Sequence, residues 1–562
     1  MTQQVPLIAE LRSIVGMRHV ITNPRSMERF CKGYRSGEGP ALAVVQPGTL
    51  LEQWKVIKAC AAADKIIIMQ AANTGLTEGS TPNGTYDRDT VVLSTRRMEE
   101  IQVLADGKQI IGFPGATLFS LEKMLEPYGR QPHSVIGSSC IGASIVGGVC
   151  NNSGGSLIER GPSYTELALY ARISEDGDVV LINHLGIELG SDPEEILTRL
   201  QAGAYTSADI KGTNAKASDT EYRQKVRAVD EDTPARFNAD PNRLFEASGC
   251  AGKLVVFAVR LDTYPKNEAE QVFYLATNSP DALTKLRRTV LSEFKSLPVS
   301  GEYMHAGIYD LSKTHGKDSL FMIDKLGTDR LPTIFAIKGW LDARLNRLPI
   351  LPKNLVDRMM QGVFSLWPNI LPKRIEALRS KYEHHLILKM RDGGIDEARA
   401  YLAEHFSGED GTYLKCSPRE AKIAGLHRFV AAGAPLRYLA VNPGAAEDVL
   451  ALDIALRRND QEWFEVLPPE LDDALSHKLY YGHFFCHVLH QDYIVRKGHD
   501  PVEIKKKLLE LLDARGAIYP AEHNVGHLYK AADQQAAFFK ECDPTNSLNP
   551  GIGKMSKRKH YA

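Results

Sequence analysis

The first 150 residues alternate short apolar runs with amphipathic stretches, the rhythm of strands followed by helices. Residues 41–45 (ALAVV) form a wholly apolar run that stops at Pro47 and Gly48, as a buried strand does. Residues 49–63 then carry Leu50, Leu51, Trp54, Ile57 and Ala61 at helical spacing. A second buried strand is predicted over residues 65–69, running directly into a glycine-containing turn. Residues 101–111 alternate and fold back at Asp106-Gly107, which predicts a hairpin. A helix follows from Thr117 to about Glu126. This is an α+β or α/β domain.

Residues 204–235 are polar and poor in large apolar side chains, so they are expected to be an exposed excursion. Strand character returns at 254–259 (LVVFAV), and from 266 to 512 helical patterns mix with strands such as 385–389. One window differs in charge. Between Arg330 and Lys381 lie ten basic residues (Arg330, Lys338, Arg344, Arg347, Lys353, Arg358, Lys373, Arg374, Arg379, Lys381) against three acids (Asp342, Asp357, Glu376), a net +7. Ile334, Phe335, Trp340, Leu341, Phe364, Leu366, Trp367 and Ile370 are interleaved, and Pro349, Pro352, Pro368 and Pro372 interrupt it.

At 562 residues the chain is long enough for two or three domains, and 43% apolar with 24% charged residues is a globular composition. The formal net charge of -1 gives no whole-chain argument for nucleic acid, and no nucleic-acid partner is expected. Eight scattered cysteines without a CxxC pair fit reduced thiols better than a secreted scaffold. The first residues read as an ordinary helix, not a signal peptide. No run of about 18 uncharged apolar residues exists, so any membrane association is expected to be peripheral.

Two segments carry candidate cofactor chemistry. Residues 70–80 (QAANTGLTEGS) follow a strand, and their small side chains let backbone N–H groups approach a pyrophosphate. A plain tight turn is the competing reading. Residues 135–155 (VIGSSCIGASIVGGVCNNSGG) hold six glycines among Ile, Val and Cys, a composition unlike a flexible linker and suited to a large flat ligand. Neither segment is GxGxxG or GxxxxGK[ST].

Together these segments resemble the FAD-binding domain of the vanillyl-alcohol oxidase type. Within that superfamily, residues 70–84, 136–155, 232–236, 248–253, 519–527 and 543–551 resemble the quinone-dependent respiratory D-lactate dehydrogenases of bacteria along nearly the whole chain. The resemblance implies a two-subdomain FAD-binding domain plus an α/β cap domain with an antiparallel sheet. It implies FAD contacts at Ala71, Ala72, Asn73, Thr74, Gly75, Gly79, Ser80, Gly137, Ser144, Gly154 and Val256. Residues 70–84 contain no histidine or cysteine, so the implied FAD is non-covalent. Cys140 and Cys150 read as small buried packers.

Seven of the 17 histidines (His477, His483, His487, His490, His499, His523, His527) fall within 51 residues. Oxidising a 2-hydroxy acid needs a base for the hydroxyl proton, an acceptor for the Cα hydride and a cation for the carboxylate. The resemblance makes His523, in Glu522-His523-Asn524, the base, with Asn524 where relatives have glycine. It aligns His483 and His490 with a pair that, with Glu522, holds a divalent metal in related enzymes; because the Asp-Gly-Asn between those histidines is missing here, direct hydrogen bonding to substrate is the preferred reading and a metal site the alternative. Arg428 and Arg437 are the candidate carboxylate partners, each with a surface salt bridge as its alternative. His477, His487 and His499 read as surface or core histidines.

The expected organisation is an FAD-binding domain over 1–262 completed by 513–562, a cap over 263–325 and 383–512, and a basic membrane-attachment insertion over 326–382. The expected activity is FAD-dependent oxidation of D-lactate to pyruvate, with electrons passing to a membrane quinone at the cytoplasmic face of the bacterial inner membrane. An anionic phospholipid surface would meet residues 330–381, for which a solvated helical face is the alternative. The rival activities are a soluble flavin dehydrogenase of another D-2-hydroxy acid, such as D-2-hydroxyglutarate, and a flavin-fold adaptor without catalysis.

Overall fold

The computed structural model describes residues 4–134, 142–212, 214–327, 337–339, 341, 344–345, 352–408 and 411–562. Strands Ala43–Val45, Ile66–Gln70 and Thr90–Ser94 pair in parallel, with Val20–Ile21 added antiparallel at one edge. They are buried almost throughout, which is why they read as continuous apolar runs and not as alternating ones. Helix Leu50–Ala62 starts where the Thr49 side chain accepts the Glu52 N–H, and it sends Trp54 against Phe257, ring centroids 6.4 Å apart. Phe257 lies on Val255–Asp262, the middle strand of a second, antiparallel sheet. Its order is Ile101–Leu104, Gln109–Gly112, Val255–Asp262, Ala168–Ile173, Val179–Asn183. The hairpin over 101–111 turns at Asp106, in the left-handed region at φ 53°.

The end of the chain returns to the first sheet. Ile67 N–H donates to the Ser547 carbonyl at 2.9 Å, and Leu548 is buried in the N-terminal core.

The middle of the chain forms an eight-stranded antiparallel sheet in the order Ser407–Gly408, Gly411–Lys415, Glu270–Thr277, His384–Arg391, Ser300–His305, Leu475–His483, Val488–Arg496, Ala446–Ala455. Successive side chains leave a strand on opposite faces, so Phe273 and Leu275 enter one core while Tyr274 and Ala276 enter another. The sheet thus separates two apolar layers.

The stretch 204–235 is an exposed excursion as far as residue 216 and departs from expectation beyond it. Helix Tyr222–Arg227 places Tyr222 and Val226, one helical turn apart, in the first core of the cap sheet, and Arg243 holds the buried Asp219. Few apolar residues were enough because they share one face, and average polarity concealed that.

Of the basic window, Arg330, Ile334, Phe335, Trp340, Asp342, Arg347 and Pro349 lie outside the described residues. Helix Leu355–Ser365 buries none of its residues. Met359, Val363, Leu366 and Trp367 are exposed, Leu366 by 89%, and the rings of Phe321, Phe364 and Trp367 contact one another in tilted and edge-on arrangements. Among the described residues, no helix is long and apolar enough to cross a membrane.

Candidate functional site

Four neighbouring cap strands point polar side chains the same way. Glu302 pairs in register with His483, Tyr481 with His490, and His490 with Asp453, while Asp492 lies two residues beyond His490. Period-two alternation puts all of them on one face. Gly482 permits the close pairing: a Cβ there would fall 2.5 Å from the Val488 carbonyl oxygen.

The segment carrying Glu522 and His523 lies over this face, held by Asp453. The Asp453 carboxylate accepts the Glu522 backbone N–H at 2.6 Å and His523 Nδ1–H at 2.7 Å. His523 Nε2 is therefore the free ring nitrogen, on a side chain that is 29% exposed. Burial alone would lower the His523 pKa; the Asp453 carboxylate raises it above the ordinary histidine value.

His483 Nδ1 donates to Glu302 at 2.7 Å, which turns Nε2 toward Glu522 at 3.4 Å. His490 Nδ1 lies 3.6 Å from Asp453, and its Nε2 lies 4.0 Å from the same Glu522 oxygen. Burial would lower the His483 pKa, but Glu302 and Glu522 raise it to about 10; His490, more weakly flanked, is held by burial at about 4. The other Glu522 oxygen pairs with Arg236, almost fully buried. Against the pull of burial, His483 and Arg236 keep this carboxyl well below its usual range. Gly154 abuts the pair: a Cβ there would meet Glu522 at 2.6 Å. One ligand atom from each of His483, His490 and Glu522 fits within 4.8 Å.

Arg428, from helix Pro418–Val430, closes one side. It pairs with Glu302 at 3.0 Å, stacks over Tyr481 at 4.7 Å and keeps a buried Nε–H without a partner. Arg437 is otherwise engaged. It binds Asp318 and Asp357, each at 2.8 Å, and so ties helix Leu355–Ser365 to the cap instead of joining the histidines. His487 is a buried core residue bonded to the Arg457 carbonyl, His477 packs on Tyr438, and His499 is exposed.

The predicted pyrophosphate loop packs directly on this segment. Thr77 Oγ1 donates to the His523 carbonyl at 2.7 Å, and a Cβ on Gly526 (φ +52°) would fall 1.8 Å from the Thr77 carbonyl oxygen. Asn73, at φ 54°, shapes the loop: its Oδ1 accepts from Ser80 Oγ (2.9 Å) and Thr81 Oγ1 (3.1 Å). Ala71, Ala72 and Thr74 are half-buried, Gly75 faces open space, and the Gly79 carbonyl accepts from Asn549. A Cβ on Gly142 would lie 3.7 Å from the Ala72 Cβ, so the second glycine-rich segment meets the first. Ser144 Oγ caps helix Ile145–Cys150, and the Val256 carbonyl accepts from Gln53. Gly137 and Cys140 lie outside the described residues, whereas Cys150 is half-buried. Among the described residues, both ring nitrogens of His133 and the Ser134 hydroxyl are buried without partners, polar groups that a bound cofactor would satisfy.

A glycine-lined loop pressed against a largely buried His/Glu/Arg cluster is the arrangement of a flavoprotein with its candidate site between that loop and the cap sheet. Residues 41–182 match the FAD binding domain model, and residues 272–561 match the model described as D-lactate dehydrogenase, membrane binding. The chain is 57% identical over 561 residues to the quinone-dependent D-lactate dehydrogenase of Escherichia coli (strain K12), covering 100% of this chain and 98% of that one. It is 54% identical to the Haemophilus influenzae enzyme of the same name, covering 99% of each. The chain belongs to the quinone-dependent D-lactate dehydrogenase family. Among solved structures, p-cresol methylhydroxylase with substrate bound superposes with a TM-score of 0.58 at 13% identity, covering 99% of this chain and 98% of that one. Alkyldihydroxyacetonephosphate synthase gives 0.59 at 13%, covering 97% and 85%. These two share the fold.

The reading of an FAD-binding α+β protein with a cap sheet thus holds. Sequence reasoning missed Glu302, Asp453, Asp492 and Arg236. Only Arg236 had a local signal, in the segment 232–236.

Proposed function

We infer that this chain oxidises D-lactate to pyruvate and passes the electrons to a membrane quinone. The observation that carries this is the largely buried set His483, His490, Glu522 and His523, each flanked by a carboxylate or an arginine, with the His523 segment packed on the FAD-side loop. Bound FAD supplies the acceptor for the Cα hydride. The unpartnered His133 and Ser134 and the open surroundings of Gly75 suit such a group.

The protein's own part is proton handling and orientation. His523, held by Asp453 through Nδ1, takes the hydroxyl proton at Nε2. Arg428 offers its free Nε–H to the substrate carboxylate. His483, His490 and Glu522 face the hydroxyl. Their donor set, with Glu302 and Asp453 behind the two histidines, is that of a divalent-metal site and favours the metal reading over direct hydrogen bonding. An ion bound there would polarise the substrate oxygen. The FAD contacts proposed at residues 71–75, 79, 80, 137, 144, 154 and 256, and the division into domains, follow the same reading.

The membrane surface is proposed to be residues 330–381, meeting anionic phospholipid at the cytoplasmic face of the inner membrane. The exposure of Leu366 and Trp367 and of Lys353, Lys373 and Lys381 in the same window supports it. Leu366→Glu with Trp367→Glu is expected to weaken binding to anionic vesicles at least about tenfold in a sedimentation assay.

The activity is tested by steady-state turnover of the FAD-loaded protein with a short-chain ubiquinone. D-lactate is expected to outperform D-2-hydroxyglutarate in kcat/KM, and the reverse order would reject the assignment. Arg428→Ala is expected to raise KM for D-lactate about 100-fold with FAD still bound; unchanged kinetics would remove Arg428 from the site.

A further inference from the structure

Two residues of the proposed FAD loop region hold their backbone in the left-handed region, Asn73 at φ 54° and Glu78 at φ 66°. A non-glycine residue there costs free energy and persists only where its surroundings over-determine it. At Glu78 the side chain supplies the constraint. Its buried carboxylate accepts from Ser36 Oγ at 2.6 Å and from Asn83 Nδ2 at 2.7 Å. Both donors are neutral, so neither brings a positive charge to the carboxylate.

The charge stands one amide further out. Lys557 Nζ donates to Asn83 Oδ1 at 2.8 Å and to the Asn83 carbonyl, and it lies over the Tyr86 ring at 5.2 Å. A carboxylate only accepts and an ammonium only donates. Asn83 can therefore bridge them in one orientation of its amide, NH₂ toward Glu78 and Oδ1 toward Lys557. The Tyr86 hydroxyl accepts the Asn83 backbone N–H at 2.8 Å and steadies the bridge. Lys557 comes from 474 residues away in sequence and is itself held on both sides. Asn546 Nδ2 donates to the Ser556 carbonyl at 2.8 Å and to the Arg558 carbonyl at 2.7 Å, while Asn546 Oδ1 accepts from the buried Lys253 at 2.7 Å. Gly551, at φ +85°, leaves the lysine room, since a Cβ there would fall 2.8 Å from Lys557 Cγ.

We propose that Lys557, acting through Asn83, is a positioning residue for FAD. The ammonium, amide and carboxylate form a relay that keeps Glu78 in its left-handed conformation, and with it the adjoining Gly79 and Ser80. The inference rests on the FAD contacts proposed at residues 71–75, 79 and 80. Thr77, on the other side of Glu78, bonds the His523 carbonyl, so the relay acts where the cofactor loop meets the segment carrying the base. Its effect falls on how tightly FAD is kept, because none of its three side chains is among the groups proposed to meet the substrate.

The test uses the full-length protein, stripped of FAD and titrated with it, the dissociation constant being read from flavin fluorescence. Lys557→Met and Asn83→Ala are each expected to weaken FAD binding about tenfold. The double variant is expected to bind FAD within about threefold of either single one, since both changes break the same relay. The melting temperature of the FAD-free protein is expected to change little in Lys557→Met. Tyr561→Phe is the control: it removes the hydroxyl that bonds the Phe539 and Asp543 carbonyls from the same segment, away from the loop, and is expected to leave FAD affinity unchanged. The Lys557→Met effect is expected to persist at high salt, where remote attraction to the phosphates is screened. Unchanged FAD affinity in Lys557→Met, losses that add in the double variant, an equal loss in Tyr561→Phe, or an effect that vanishes with salt would each overturn the relay. Asn73→Ala, within the loop itself, is expected to weaken FAD binding as well. FAD affinity unaffected by that change would overturn the proposed FAD loop, whereas a loss in Asn73→Ala without one in Lys557→Met would overturn the relay alone.

Discussion

His523→Gln lowers kcat for D-lactate by about 10²- to 10⁴-fold, the range a positioned general base supplies, while FAD content and thermal stability stay near those of the parent. The expectation follows from how this imidazole is held. Asp453 accepts Nδ1–H, so the proton can be received only at Nε2, on the more exposed side of the ring. Glutamine matches the size and can still hydrogen-bond Asp453, but it has no basic nitrogen. A substrate analogue should bind it almost as well as it binds the parent. A variant that retained kcat within threefold would remove His523 from the proton transfer.

Asp453→Asn produces the second large loss, at least about 100-fold in kcat, without altering any group that touches substrate. The Asp453 carboxylate accepts two N–H groups, from the Glu522 backbone and His523 Nδ1, and it also lies beside His490. Asparagine has one acceptor oxygen and an NH₂ group. It can serve the backbone N–H or the imidazole, and where it presents the NH₂ group it forces the wrong tautomer on His523. The pH dependence separates this from simple disruption. His523 is active as a base only when neutral, so activity rises with pH through its folded-state pKa. Asp453 raises that pKa. Its neutralisation moves the acid limb of kcat/KM to lower pH, even as the plateau falls. A limb that stayed in place or moved upward would show that Asp453 does not act through His523.

The parts of the site legible in the sequence were those concentrated in one stretch. His483, His490, Glu522 and His523 lie close in sequence, and a local excess of one rare residue type is visible without knowing the fold. The groups that orient them were not legible, because the sheet brings them in from far away. Glu302 lies 181 residues from His483, and Arg236 lies 286 from Glu522. An isolated Glu in a strand such as Ser300–His305 has no pattern to mark it until Tyr481 and His483 are placed alongside. The fold shows the same division. Buried parallel strands and the capped helix Leu50–Ala62 were visible in local periodicity, whereas Tyr222 and Val226 were hidden in a polar stretch whose mean composition suggested exposure. Arg437 shows the opposite limit: residue type and neighbourhood qualified it for a carboxylate, and the fold gave it Asp318 and Asp357.

The cleft between the FAD-side loop and the cap histidines is the centre of this account, and one anaerobic titration tests it most directly. The purified, FAD-loaded protein is mixed with D-lactate in the absence of oxygen and of any quinone, and the flavin absorbance is followed. Full bleaching with one pyruvate formed per flavin is expected, with the colour restored on adding a short-chain ubiquinone. A flavin that stays oxidised under excess D-lactate, or a protein that takes up no FAD, would contradict it.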